Sequence, residues 1–578
     1  MRAAAKNYLP AIACALVPIL CYLVTWPRAE IGINDDWSYI KSAQVLAETG
    51  RIAYNGWNTA MLGWQLYGGA LFVKLFGFSF SAVRFCTVVE AMATAFLLQR
   101  TFLRAGINSR NAALATIAFI LSPAYLEFAF VFLTDVSGIL CIVVCLYMCL
   151  RALQAKSERF AMLWISSAAL LNALGGTARQ IVWFGVLVMI PCTLWLLRKS
   201  RRVVVTGCLS CIAGAVFIAA AMHWYSAQPY TIPESPFAEI PARGAYEYLK
   251  NLGRVVLGSA GVLAMFALPV LLMFAGALRA YRRLAAGAAS VLAIAPIHLL
   301  RIDKWPARSA WDQINYPAFE RLNQTVAQGV HLGLAHNGIR FLLTGAAAFG
   351  MACLVSCLLP GTRRPAARQP PVSAISWRQL AAILGPFVAV YILLVAARDA
   401  FYGRYFAPLL AIVLLVLVRF YQERVNAALP RACVPLIALF AAFALVAIHD
   451  GFAEYRAYAR AIGEIQSSGA PATAILGPPE AEAWAQIDKV GDMNNPAQSP
   501  KTAYAPQPVI QVPPQCDQDL YIMIRLGLTP EIKPAFAVSH NPAECGGKVA
   551  FPAVKYVTVI PPRVNSIYPV RLSASFSN

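Results

Sequence analysis

Apolar residues in this chain come in long blocks separated by short polar connections. The blocks fall near residues 9–27, 81–103, 111–130, 136–153, 161–178, 181–197, 203–224, 255–278, 284–300, 339–359, 378–397, 405–421 and 432–448. A helix needs roughly 20 such residues to cross a bilayer core, so the pattern predicts about 13 membrane spans. The stretch 61–76, "MLGWQLYGGALFVKLF", is apolar but short and broken by glycines, and reads as interfacial or re-entrant. Between it and the first block, "DDWSYIKSAQVLAETG" has the apolar spacing of an amphipathic interfacial helix.

Past residue 449 the pattern changes. "GFAEYRAYARAIGEI" reads as an opening helix, and the strand-like runs "TAILG", "LYIMI" and "VKYVTVI" follow in a proline-rich context. The expectation is a membrane domain over 1–449, with a first loop at 28–80, and a small mixed α/β domain over 450–578. No internal repeat is evident, which counts against transporter folds built from two similar halves. "GTRRPAARQPP" at 361–371 reads as a flexible polar loop.

Composition agrees with the spans. Hydrophobic residues make up 59% and charged residues 13%, with mean hydropathy +0.59, against about a quarter charged in soluble domains. The charge has a topological meaning. With the N-terminus, bearing Arg2 and Lys6, placed in the cytoplasm, the even-numbered connections gather Arg100, Arg104 and Arg110; Arg151, Lys156 and Arg159; and Arg198, Lys199, Arg201 and Arg202. Arg279, Arg282, Arg283, Arg363, Arg364, Arg368, Arg378, Arg419, Arg424 and Arg431 follow, and only Glu158 and Glu423 oppose them. That bias accounts for nearly all of the net charge of +21 and leaves no need for a nucleic-acid partner. It sets a cytoplasmic N-terminus and an extracytoplasmic tail, in a multi-pass inner (plasma) membrane protein, and the weakly basic front of the first span with no clear small-residue cleavage site after it reads as an uncleaved anchor.

Twelve of the 14 cysteines lie in or beside spans and read as small packing groups. Cys141, Cys145 and Cys149 share a helix face without a histidine, so a metal site is not expected there. Cys516 and Cys545 stand apart in the tail, where an oxidising compartment favours a disulfide. Trp37, Trp57, Trp64, Trp224, Trp305 and Trp311 in the far-side loops read mostly as an interfacial belt. No nucleotide-binding glycine loop, zinc-spaced histidine pair or G-x-S-x-G elbow is present.

The ionisable groups at the far-side ends of the spans converge on one leaflet. Asp35 and Asp36 follow the first span, Glu127 and Asp135 flank "LEFAFVFLTDVSG", Arg179 and Gln180 occupy "GGTARQIVW", and Arg398, Asp399 and Arg404 lie in "AARDAFYGRYFAP". Carboxylates and guanidiniums on one membrane face can form an acid/base and phosphate-binding site. Each has a plainer use: Asp35 or Asp135 as a helix cap, Arg179 or Arg404 as a group snorkelling to headgroups. A transporter or lipid flippase would use the same charges as a substrate path. Its mark is ionisable residues deep within spans, whereas nearly all here stand at span ends. An accessory envelope subunit leaves Asp35 and Asp36 without a task.

"NDDWSYIKSAQVLAETGRI" resembles the first extracytoplasmic loop of the GT-C glycosyltransferases, among them bacterial aminoarabinose transferases and protein O-mannosyltransferases. Their carboxylate pair, aromatic and amphipathic helix match Asp35, Asp36 and Tyr39; "FLTDVSG" resembles their second acidic site, and "GRYFAP" an arginine-bearing motif. The resemblance implies a GT-C-like bundle and a polyprenyl-phosphate-linked sugar donor. It implies inverting transfer to an envelope lipid, glycan or protein, with catalytic groups Asp35, Asp36 and Asp135. Asp35 is then the base, and Asp36 orients the acceptor, a nearby cation or a divalent metal. Tyr39, Lys41, Glu127, Arg179, Gln180, Arg404 and Tyr405 are the substrate-binding candidates. Where the aminoarabinose transferases carry a Lys-Pro-Pro signature, this chain has "NGWNTAMLGWQLYGG", so Lys41, Arg179 and Arg404 become the candidates for holding the lipid phosphate.

Overall fold

Polar punctuation sets the helix boundaries. In a computed structural model, described over residues 2–232, 244–280, 286, 288–289, 333–358, 375–397, 403–495, 512–513, 516–560 and 562–573, several helices begin where a serine accepts a main-chain N–H two or three residues on. The first helix, α1, is Arg2–Thr25. Two loop helices follow, α2 (Asp36–Thr49) and α3 (Gly63–Phe76), then α4 (Phe80–Arg104), capped by Ser79. Next come α5 (Ser109–Ile120), α6 (Pro123–Leu126), α7 (Thr134–Leu153) and α8 (Glu158–Gly175), the last capped by Ser157. After α9 (Ile190–Leu196) come α10 (Arg201–Ala227), capped by Ser200, α11 (Ala245–Phe266) and α12 (Gly333–Leu358). α13 (Trp377–Ala396) opens on a reciprocal Ser376–Gln379 capping box and precedes α14 (Ala407–Arg424).

Among the described residues, eight helices are long and apolar enough to cross a membrane, and a ninth arises if a bent pair is one span. That pair is α5 with Pro123–Phe130, bent by 63° at the Ser122–Pro123 step inside the expected block 111–130. Proline lacks the N–H that would continue α5, so the block breaks there. The block at 161–178 forms α8, whose charged start dilutes its apolar character. The blocks at 181–197 and 339–359 give shorter apolar helices, Gln180–Leu196 and Gly345–Leu358. Nearly all of the block at 284–300, the loop 361–371 and most of 301–338, with Trp305 and Trp311, lie outside the described residues.

α2 and α3 lie on the bundle instead of crossing it. α2 buries Trp37, Tyr39, Ile40, Ala43 and Leu46 and ends at Gly50, whose φ of 72° is the left-handed conformation glycine supplies cheaply. α3 has 14 residues and leaves Tyr67, Leu71, Leu75 and Phe76 exposed, the apolar face of an interfacial helix. Gly69 lets the two approach: a Cβ there would meet Ala43 Cβ at 3.0 Å and the Phe132 ring at 2.7 Å.

The last span and the expected opening helix of the tail are one helix, α15 (Cys433–Ser467, 35 residues). No proline or glycine pair interrupts the helical pattern at 449–450, and Asp450 is held by the Val559 and Ile560 N–H groups. Its far end carries Ala453, Ala457, Ala461 and Ile465 onto a sheet, against Phe536, Val538, Val554, Tyr556 and Ile567. The sheet holds β1 (Ile475–Leu476), β2 (Phe536–Ser539), β3 (Lys548–Val549), β4 (Val554–Val559) and β5 (Pro562–Arg571). β1 runs parallel to β2, and β2, β3 and β4 pair antiparallel with β5, in register Phe536 with Arg571 and Val554 with Ile567. β4 alternates buried and exposed positions as a half-solvated strand should. "LYIMI" is no strand: it forms a helical turn at Ile522–Arg525, because consecutive apolar residues without alternation suit a buried turn equally well. α16 (Pro479–Val490) completes the domain, and Cys516 and Cys545 are disulfide-bonded.

Candidate functional site

The first loop turns sharply into α2. Asn34, at φ 54°, reverses the chain, and its Oδ1 accepts the Asp35 N–H at 2.8 Å. Asp35 then stands in the N-cap position of α2, yet its side chain caps nothing. Its Oδ1 accepts the indole N–H of Trp57 at 2.9 Å, and its Oδ2 faces Arg404 Nη1 at 3.7 Å. The capping alternative therefore does not describe this side chain.

Asp36 has the opposite surroundings. Fully buried, it accepts Arg84 Nε at 2.6 Å and Nη2 at 3.1 Å, and the Ile33 N–H at 2.8 Å. Arg84 also donates to the Ala29 and Ile31 carbonyls at 2.7 and 2.6 Å. Burial raises the Asp36 carboxyl above the ordinary range, opposed by the Arg84 charge and by hydrogen bonds from Arg84, Ile33 and Phe132. The cation paired with Asp36 in the structure is Arg84. Sealed beneath the loop, Asp36 is tied through Arg84 and the Ile33 N–H to the backbone that leads into Asp35.

Asp135, in the first turn of α7, meets Arg179 Nη1 at 2.6 Å, and the same nitrogen donates to Thr134 Oγ1 at 3.2 Å. Gly138 leaves room for this arginine: a Cβ there would lie 2.9 Å from Arg179 Cδ. The guanidiniums of Arg179 and Arg404 stand 5.7 and 5.9 Å from the Tyr405 ring, and the Tyr405 carbonyl accepts the Tyr391 hydroxyl at 2.7 Å. Tyr39 is buried within the fields of Asp35, Arg404, Asp135 and Arg179; burial first, then the Asp35 charge, pushes its hydroxyl up. Six residues from four distant stretches of the chain thus share one site: Asp35 and Tyr39, Asp135, Arg179, and Arg404 with Tyr405. Of the two carboxylates, Asp35 is the accessible one, at 26% side-chain exposure against 4% for Asp135.

Other candidates are placed elsewhere. Lys41 turns to the tail domain, pairing with Asp488 at 2.7 Å over the Trp484 ring, away from the Arg179 and Arg404 guanidiniums. Gln180 donates to the Thr59 carbonyl at 3.3 Å and ties its turn to the first loop. Glu127 lines an adjacent, mostly apolar cavity with Ile33, Asn34, Ile448, Phe452 and Tyr455. Arg398 and Asp399 lie outside the described residues.

Trp57 belongs to this site through Asp35 and not only to an interfacial belt, and Arg84 joins it through Asp36. A charge inside an apolar block asks for a partner, and that signal was available at Arg84 and also at Glu90, which lies well inside α4 and accepts the Ser137 hydroxyl at 2.5 Å. Among the described residues, the His/Cys/Asp/Glu group tight enough to hold an ion is Cys516, Glu544 and Cys545, whose sulfurs are already joined to each other. Asp35, Asp36 and Asp135 do not make such a group.

No protein-family model matches the chain, and no curated protein matches it in sequence. Among solved structures, it is similar to ArnT from Cupriavidus metallidurans in the apo state, at 14% identity and TM-score 0.38, covering 100% of this chain and 99% of that one. The same protein bound to undecaprenyl phosphate gives 14% and 0.36, over 100% and 99%. The archaeal oligosaccharyltransferase AglB from Archaeoglobus fulgidus, in complex with an inhibitory peptide and a dolichol-phosphate, gives 14% and 0.35, over 91% and 64%. Likenesses this loose carry no argument about activity.

Proposed function

We propose that this protein is an inverting, membrane-embedded glycosyltransferase. It moves a sugar from a polyprenyl-phosphate donor to a lipid, glycan or protein of the cell envelope, on the extracytoplasmic face. The observation that carries the reading is the state of Asp35: an accessible carboxylate, aimed by Trp57, facing Arg404 beside the Asp135–Arg179 pair. A carboxylate kept accessible at a membrane surface, next to two guanidiniums, suits a reaction that removes a proton on one side and releases a phosphate on the other.

In that reaction the acceptor's oxygen or nitrogen attacks the anomeric carbon while its proton passes to Asp35. The bond from that carbon to the phosphate oxygen breaks in line, inverting the centre, and its electron pair leaves on the polyprenyl phosphate. Arg404 and Arg179 meet the charge that develops there, and Asp135 keeps Arg179 aimed. Tyr39 and Tyr405 wall the site and exclude water. Should a divalent ion join, the lipid phosphate and water would have to supply most of its ligands.

The test is transfer by the purified protein in lipid vesicles. Radiolabelled polyprenyl-phosphate sugars are offered with extracted envelope lipids, glycans and proteins. Label on an acceptor supports the reading. Label that only crosses the bilayer, unattached, favours the transporter reading, in which Glu90 inside α4 would take part in a path.

A further inference from the structure

A side chain of the tail domain reaches the turn that carries the proposed base. Glu480, in the first turn of α16, accepts the Asn34 N–H on Oε1 at 3.1 Å, and the Tyr455 hydroxyl lies 3.5 Å from the same oxygen. Asn34 in turn accepts the Asp35 N–H and holds the left-handed turn that delivers Asp35 to the site. Gly32 permits the approach: a Cβ there would lie 3.0 Å from Glu480 Cβ. The docking around this point is spread over independent contacts. They are the Lys41–Asp488 pair, Trp484 stacked on Phe78 at 5.9 Å, and main-chain and side-chain bonds from Met493 to Asn55 and from Asn495 to Gly56. Losing Glu480 should therefore leave the domain in place.

We infer that Glu480 is a positioning residue of the C-terminal domain, which fixes Asp35 through the Asn34 peptide and so makes the readiness of the site depend on domain docking. Its catalytic consequence rests on Asp35 being the base; the structural coupling does not.

The groups facing Glu480 make the coupling pH-sensitive. Asp35 and Asp36 face it from the α2 side, with Arg84 beyond Asp36; Tyr455 and Tyr458 face it from α15, and Glu482 lies on its own helix. Burial pushes the Glu480 carboxyl up to about 7, with the charges of Asp36 and Asp35 adding to it and the hydrogen bonds from the Glu480 and Asn34 N–H groups opposing it. Released from the loop, it would titrate near the ordinary value of about 4.3, so the docked form holds the proton more tightly. The protonation contribution to this loop contact is complete below that value and is lost as pH rises through about 7. Between pH 6 and pH 8 this amounts to about tenfold in the equilibrium between the Glu480-held and released loop.

Hydrogen–deuterium exchange on the full-length protein in lipid nanodiscs tests this. Peptides spanning 28–40 are read at pH 6 and pH 8 after correction for intrinsic rates. In the unaltered protein, exchange should be about tenfold faster at pH 8. Glu480→Gln keeps the acceptor without the titration and should be equally protected at both pH values. Glu480→Ala should lose protection at both, with β4 and β5 peptides unchanged. A pH-independent unaltered protein, a Gln variant behaving like Ala, or an Ala variant with full protection overturns the coupling. If Ala loses protection yet transfers sugar at the normal rate, the link to Asp35 fails. If no polyprenyl-phosphate sugar is turned over even by the unaltered protein, the transferase reading fails, and the exchange result still decides the coupling.

Discussion

Two arginines at the site are held in different ways, and this decides how each should respond to change. Arg179 is locked by Asp135 and Thr134, whereas Arg404 faces Asp35 at 3.7 Å beside the Tyr405 ring. A planar fork onto phosphate oxygens is poorly replaced by a lysine ammonium. Arg404→Lys and Arg179→Lys should each lower transfer by about 10²-fold with normal membrane expression; near-normal turnover in both returns them to headgroup anchors. Arg84 is a different case. Arg84→Met strips the partner from a buried carboxylate, and breaking such a pair costs about 3–5 kcal/mol. Thermal unfolding in detergent should show a large drop, and an unchanged midpoint would contradict the structural role given to Asp36. Little of this was legible in the sequence. Asp35, Asp135, Arg179 and Arg404 announce themselves as charges at apolar edges, but nothing local links Asp36 to Arg84 across 48 positions, or Trp57 to Asp35 across 22.

The elements that carry the site are set by backbone details between the spans. Gly138, one turn after Asp135, leaves the space Arg179 fills. Gly138→Val should push the guanidinium off Asp135 and lower transfer by at least about tenfold, since a displacement near 1 Å can cost that and more. Equal activity would mean that Arg179 has room the packing denies it. Apolar blocks made most helices legible, because the membrane demands length and hydrophobicity and little else. Breaks were less visible: the bend at Ser122–Pro123 inside one block, and the absence of any break between the last span and the tail in α15. Short apolar runs such as "LYIMI" carry no period long enough to separate turn from strand.

For the whole molecule, the arrangement requires the bundle's site-bearing end and the tail domain to face the same compartment, as the contacts of Glu480 and Asp488 with the first loop show. In the orientation proposed from the basic connections, that end lies outside the cytoplasm. A reporter active only in the cytoplasm, fused after Asn578, should stay silent, and a strong signal would invert the orientation. Docking itself was not legible, because Glu480 and Asn34 are 446 positions apart and their bond depends on tertiary placement alone. The proposed chemistry turns on Asp35 accepting a proton. Its most direct test is transfer of radiolabelled sugar from polyprenyl phosphate by Asp35→Asn, which keeps the side chain's size and an oxygen to accept the Trp57 indole N–H but cannot take the proton. Base catalysis supplies about 10²–10⁴-fold, so activity should fall by that factor with expression unchanged. An Asn variant retaining more than about a tenth of normal transfer would contradict the assignment, since that loss is smaller than removal of a base should cause.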